Sequence, residues 1–303
     1  MSVILPQQRA NLSLEVVSPA RAQLSRLSRL LPSGRFGVSV VMLIAIFGFA
    51  IFGPFVSGSH DPLAIIGGLY DEPSATNWLG TDNFGHDVYT QLMYGTRSSL
   101  IVGLIAGVVA VGIGVVIGTV AGFRGGLLEE LLMGITNVVI TIPSIVVLIL
   151  LSVAIATRSF VTMGLIIGVT SWPWTARAVR AQTSSLRTRP HVDVARISGA
   201  NTAVLILREV IPYMLSYLCL AFVLQLASGI LQEAALSLLG LGANQGVSLG
   251  IMLHWALLWE SVRTGAWWAF VPPTLLLSAI AFSLLLLQTS LDEVFNPRLK
   301  RGG

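Results

Sequence analysis

Charge is scarce in this chain. Asp, Glu, Lys and Arg make up only 11% of its 303 residues, 54% are hydrophobic, and mean hydropathy is +0.82. A water-soluble domain of this size needs more charge to cover its surface, so the composition points to a membrane protein. Cysteine is almost missing. Cys219 stands alone in an apolar run, which excludes an internal disulfide and reads as a small buried hydrophobe. Lysine is almost missing too. A Walker A loop needs a Gly-rich turn followed by Lys and Ser or Thr, and Lys300, near the end of the chain, is the one lysine. ATP binding by that route is excluded. Catalytic constellations are also lacking. His60, His86, His191 and His254 are scattered, with no HExxH or GxSxG arrangement. The run Asp82-Asn83-Phe84-Gly85-His86-Asp87 reads as the cap of an amphipathic helix rather than a metal site. No catalytic residue, resident cofactor or metal ligand is therefore expected, and nothing points to nucleic acid. No carboxylate or Arg falls in the middle of an apolar run either. Glu129 and Glu130 fall at one rim, Asp292 and Glu293 at the last exit, and Glu233 at the outer end of the fifth run. Ion-coupled carriers and membrane enzymes need intramembrane charge, so both are disfavoured.

What the chain does have is apolar runs of about 20 residues, the length of a transmembrane helix. Six are expected, at 38–56, 99–123, 131–156, 160–178, 213–231 and 267–291, the fourth softened by Ser-Trp-Pro-Trp. The first starts too late for a signal peptide and reads as a retained helix. Residues 1–37 form a basic tail, with a partial amphipathic helix over 22–31, and 292–303 a second tail. With the N-terminus inside, 15 Lys and Arg fall on inner segments and three, Arg97, Arg158 and Arg263, on outer ones. The positive-inside rule then places both termini in the cytoplasm, with outer loops at 57–98 and 232–266 and an inner loop at 179–212. Gly114, Gly118 and Gly122 make a GxxxGxxxG row, a close-packing signal between helices in lipid. Pro143, Pro173, Pro272 and Pro273 fall in or near spans, where proline frees carbonyls and bends helices.

The inner loop ends in HVDVARISGANTAVLILREVIP, residues 191–212. It is too polar to cross a bilayer. It reads as two short helices, with Asp193 opening a turn, Gly199 breaking them apart and Pro212 marking the next span. Val194, Ile197, Val204 and Leu207 form one helical stripe. Such an element suits docking of a partner, or else lies on the lipid surface.

The same stretch resembles the EAA loop of ABC-importer permeases, through Asp193-Val194-Ala195, Gly199 and Val210-Ile211-Pro212. From about Ser39 to Arg301 the chain is similar to the C-type permease of dipeptide and oligopeptide importers. The markers, in order, are LGTDNFGHDVYTQLMYGTRSSL from Leu79, GTVAGFRGG, ARAVRAQTSSLR, EAALSLLGLG from Glu233, GIML from Gly250, AWW from Ala266, and NPRLKR. The resemblance implies an all-α, type I ABC-importer permease of about six spans in the cytoplasmic (inner) membrane, non-catalytic itself. It implies a second homologous permease as heterodimer partner, two P-loop ATPases or one fused ATPase carrying ATP and Mg, and an extracytoplasmic substrate-binding protein. Docking would fall to Asp193, Val194, Ala195, Arg196, Gly199, Ala200 and Pro212, with Asp193 facing a basic group on the ATPase. Peptides are the implied cargo. Nickel chelates, glutathione and oligosaccharides are cargoes of related importers, and an ATP-independent carrier is the competing class. The chain departs from the family pattern in several places. Asp193 stands for Glu, Val194 for Ala and His86 for Arg. Gly134 and Asn137 stand for an Arg and an Asp, as if a buried pair had been removed together. ANQGVSLG replaces a Pro-rich outer motif.

Overall fold

A computed structural model describes residues 34–56 and 61–295. Most of both expected tails, the helix expected at 22–31 and the closing NPRLKR therefore lie outside the described residues.

The described residues are helical throughout their apolar runs. No strand forms among them, only isolated bridges between Ile65 and His86 and between Thr81 and Asp87. The helices are α1 (Gly34–Val56), α2 (Val88–Arg124), α3 (Gly126–Thr141), α4 (Ser144–Ala154), α5 (Phe160–Leu186), α6 (Pro190–Ile197), α7 (Thr202–Leu238), α8 (Leu249–Leu258), α9 (Ser261–Thr264) and α10 (Trp267–Phe295). Four of them, α1, α2, α7 and α10, are long and apolar enough to cross a membrane, and the bent pair α3–α4 makes five. The softer α5 has 27 residues, about 40 Å of helix, but carries Arg177 and Arg180 in its second half.

α2 begins eleven residues before the apolar run from 99, because Asp87 caps it. The Asp87 carboxylate accepts from the Thr90 amide at 2.9 Å and the Thr90 hydroxyl at 2.6 Å, which satisfies an otherwise orphaned helix N-terminus. α2 is the central element. It packs most extensively on α5 and next on α7, while α10 gathers α1, α7 and α8. The span expected at 131–156 is not one rod. Its two halves meet at 82° across Ile142-Pro143. Pro143 lacks an N–H and forces Ile142 into an extended conformation (φ −83°, ψ 124°), so α3 stops there. Pro173, Pro272 and Pro273 sit inside continuous helices.

The segments expected to be outer loops are more structured than loops. Residues 61–87 are held by the Thr81 hydroxyl, which donates to the Gly68 carbonyl and accepts from the Asp71 amide, and by the Trp268 indole, which donates to the Thr81 carbonyl at 3.0 Å. The expected loop 232–266 instead contains the last turns of α7 and two further helices, α8 and α9. α8 is apolar, but at ten residues it is too short to span. Cys219, expected to be buried, is exposed on α7.

Candidate functional site

The polar segment 191–212 folds as a projecting helix joined to a long one. Arg189 takes the N-cap position and Pro190 the first turn, where its missing N–H costs nothing. α6 ends in a Schellman turn. The Ala200 amide donates to the Ala195 carbonyl at 3.1 Å and the Gly199 amide to the Arg196 carbonyl at 3.1 Å. Gly199 sits at φ +85°, a conformation glycine adopts without strain. The chain then re-enters a helix capped by Asn201, whose side chain accepts from the Val204 amide.

The second short helix expected there is not separate. Thr202 to Leu238 is one continuous helix, and Pro212 lies inside it rather than at a boundary. A π-turn at Leu205–Val210 widens the helix just ahead of Pro212. That relieves the clash proline makes with the carbonyl four residues before it. Asp193, expected to open a turn, sits inside the first turn of α6 instead.

The expected apolar stripe turns outward. Val194 is 64% exposed, Ile197 86% and Leu207 63%. The residues that anchor the segment are Val192, Leu205 and Val210, buried with Phe123, Val179 and Met214, while Ala195 and Ala200 lie partly buried against them. The four positions do not make one continuous face, because Gly199 turns the chain between the two helices. Two further ties fix α6. The His191 ring stacks on Tyr213 with centroids 4.2 Å apart, and its Nε2 donates to the Glu209 carbonyl at 3.2 Å. Asp193 accepts from Arg196 within α6 at 2.7 Å, both half-exposed. A partner's cation would compete with that internal pair.

Arginines near the end of α5 tie it to the neighbouring α2 and α3. Arg180 pairs with Glu129, Arg187 donates to the Phe123 carbonyl at 3.2 Å, and Arg177 donates to Asn137 at 2.7 Å. Gly134 and Asn137 are both exposed on α3, whose one buried residue is Thr136. The notion of a vacated buried pair there therefore does not hold within this chain.

The glycine row lies against α5. A Cβ on Gly114 would sit 2.6 Å from Thr175 Cβ, on Gly118 2.5 Å from the Ala176 carbonyl oxygen, and on Gly122 2.6 Å from the Arg180 carbonyl oxygen. Sequence reading passed over the rest of this system. Gly164 and Gly168 of α5 face Ile105 and Val109 in return, and Gly103 and Gly107 admit α7. Both pairs repeat the same four-residue spacing, which is the signal that was available.

Glu233 needs the largest correction. Rather than ending a span, it is fully buried, with the helix running five residues beyond it. Its carboxylate accepts from Ser237 and Ser248 at 2.7 Å each and from Ser99 at 3.3 Å, while the Ser99 hydroxyl also accepts from the Leu249 amide at 3.2 Å. One side chain thus ties α2, α7 and α8. Just ahead of α2, Asp82 accepts from the Phe84 and His86 amides, the Gln91 amide group and the His86 ring, so it is consumed by local structure. No group of three or more His, Cys, Asp or Glu suited to a metal occurs among the described residues.

Comparison with known proteins agrees with this architecture. The family of binding-protein-dependent transport system inner membrane components matches residues 114–301. The dipeptide transport system permease protein DppC of Bacillus subtilis (strain 168) is 30% identical over 265 residues, covering 86% of this chain and 81% of that protein. The oligopeptide transport system permease protein OppC of the same organism is 29% identical over 205 residues, 68% of this chain and 67% of that one. The probable D,D-dipeptide transport system permease protein DdpC of Escherichia coli (strain K12) is 31% identical over 252 residues, 81% and 82% respectively. With most of its length matched and its apolar helices in place, the chain belongs to the family of binding-protein-dependent transport system inner membrane components and is a multi-pass membrane permease.

Proposed function

We propose that this chain forms one half of the transmembrane path of an ATP-driven peptide importer, with both termini in the cytoplasm. A second homologous permease forms the other half. Two P-loop ATPases, or one fused ATPase, bind ATP and Mg and dock on α6. An extracytoplasmic binding protein delivers dipeptides or oligopeptides. The relatives named for dipeptide and oligopeptide transport support the cargo. The absence of a Walker A loop in the sequence accords with energy supplied by other chains.

The observation that carries the docking assignment is the shape of α6. A two-turn helix is pinned from behind by Val192, His191 and the Gly199 turn, and it presents Val194 and Ile197 to the outside. An element that buries one apolar residue and displays two others is preorganised for a partner, since little ordering cost remains on association. Only the short turn from Ser198 to Asn201 separates it from α7, which gives a movement at α6 a short route into the membrane bundle.

Purification of the tagged chain in mild detergent, with every stoichiometric partner identified by mass spectrometry, tests the assembly. A second permease together with P-loop ATPases is the expected result. Recovery of this chain alone, from membranes where those partners are expressed, refutes it. Asp193→Arg is expected to leave the complex inserted while ATP hydrolysis no longer drives peptide uptake. Normal uptake by that variant sinks the assignment of α6.

A further inference from the structure

The bend at Ile142-Pro143 opens a cleft of about 210 Å³ between α3–α4, α5 and α7. Its lining differs from the rest of the bundle. α7 contributes Gln225, Ser228 and Gln232, at spacings of three and four, hence on one face. α5 contributes Thr170 and Ser171. With Ser144 at the start of α4, six amide or hydroxyl side chains therefore line a gap within an apolar assembly, and no ionisable side chain lines it.

Two details mark the cleft as more than a packing defect. The Gln225 amide donates to the Ser171 carbonyl at 3.1 Å and to the Thr175 hydroxyl at 3.0 Å, which fixes α7 against α5 on the wall. The Gln232 amide donates to Ser228 at 2.9 Å, but its oxygen Oε1 is buried with no hydrogen-bond partner. A buried acceptor without a donor is costly, and in a membrane bundle it calls for water or a ligand N–H. Polar faces of this kind belong on cavities rather than against lipid.

We infer that this cleft is a contact site for the peptide main chain on the translocation path, with Gln225, Ser228 and Gln232 offering hydrogen bonds to successive backbone amides. The inference rests on the peptide-importer reading for its ligand class. A peptide backbone carries one donor and one acceptor per residue, which is what a wall of amides and hydroxyls matches. An uncharged wall does not sort peptides by side-chain charge. Placing charge on that wall therefore imposes selectivity where none existed.

The test uses the full importer in cells lacking other peptide uptake systems. Uptake of radiolabelled acidic, neutral and basic dipeptides is compared for wild type, Gln232→Glu and Gln232→Lys. Gln232→Glu is expected to lower acidic relative to basic dipeptide uptake by about tenfold, and Gln232→Lys to reverse the order, as a single charge in a partly desolvated site predicts. Equal effects on all three dipeptides overturn the inference. A second measurement does not depend on the cargo. Ser228→Cys in a Cys219→Ser background is treated with a membrane-impermeant cationic thiosulfonate under resting and ATP-driven conditions. Labelling in at least one state supports a water-accessible path, and no labelling in any state overturns it. If the cysteine labels but the wild-type complex imports no dipeptide, the peptide reading falls and takes the ligand class with it, while the cleft stands as part of the path.

Discussion

Two glycines six residues apart on α2 predict opposite responses to the same substitution. At Gly118, an added Cβ would lie 2.5 Å from the Ala176 carbonyl oxygen and 2.7 Å from Val179 Cβ, where ordinary contact begins at 3.4 Å. The nearest obstacle is backbone, so no rotamer change relieves it. α2 and α5 would have to part by about 0.9 Å along that contact, and dense interiors resist such a shift. Overpacking of this kind costs about 1–3 kcal/mol. At Gly112 nothing lies within 4 Å. There the substitution keeps the gain of about 1 kcal/mol that Ala brings over Gly in a helix. The same gain applies at Gly118, so the two variants should differ by about 1–3 kcal/mol, the overpacking cost alone. The assay is thermal stability of the tagged, purified chain by size-exclusion in detergent. Gly112→Ala should melt at or above wild type and Gly118→Ala clearly below Gly112→Ala. Identical melting of the two variants would refute the argument that the α2–α5 contact is set by the glycine row.

Other substitutions separate chemistry from space. Glu233→Ala removes the acceptor for three serine hydroxyls inside the bundle, and unpartnered buried groups cost about 1–3 kcal/mol each, so a large loss of subunit accumulation in membranes is expected. Glu233→Gln keeps one acceptor oxygen and should retain most of the wild-type level; equal loss in both variants would mean that both carboxylate oxygens are needed as acceptors. Gly199→Ala meets no neighbour and should cost only the left-handed backbone strain, about 1–2 kcal/mol, visible as a modest Tm decrease. Gly199→Pro also loses the hydrogen bond to Arg196 and cannot adopt φ +85°, so it should abolish coupled uptake; a fully active proline variant would show that the Schellman turn is dispensable.

The apolar spans and the glycine row were readable because both are periodic signals of side-chain type. Gly114, Gly118 and Gly122 needed no context to suggest a close contact, though the sequence could not name α5 as the partner. The 82° break at Ile142-Pro143 was half legible. The proline was visible, but whether it would kink, break or be absorbed depends on neighbours, and Pro173, Pro272 and Pro273 were absorbed. Glu233 was misread because its partners, Ser99 and Ser248, lie 134 and 15 residues away. Only Ser237, one turn on, was local enough to hint that the carboxylate had company. The stripe of Val194, Ile197, Val204 and Leu207 was legible as an apolar surface element, and Val194, Ile197 and Leu207 are exposed, but the four positions do not lie on one helix. A hydrophobic face read along a chain assumes one continuous helix, and the positive φ of Gly199 breaks that assumption.

The π-turn at Leu205–Val210 offers a last and sharper test of how α6 speaks to α7. A π-turn holds one residue more than an α-helix needs for the same path, and such turns recur at functional sites. Leu207 is exposed within it, whereas Leu205 and Val210 are buried against Phe123 and Val192. Deleting Leu207 should let the turn relax to α-helical geometry without rotating the helix on either side. Met214, Gln225 and Glu233 would keep their registers, so the subunit should accumulate and purify as wild type. What would change is the surface beside α6, which loses an apolar side chain and a wide turn. If that surface receives the ATPase, the deletion should lower ATPase co-purification and coupled uptake together. A deletion variant that assembles and transports normally would show that the π-turn merely accommodates Pro212, and that Val194 and Ile197 suffice for docking.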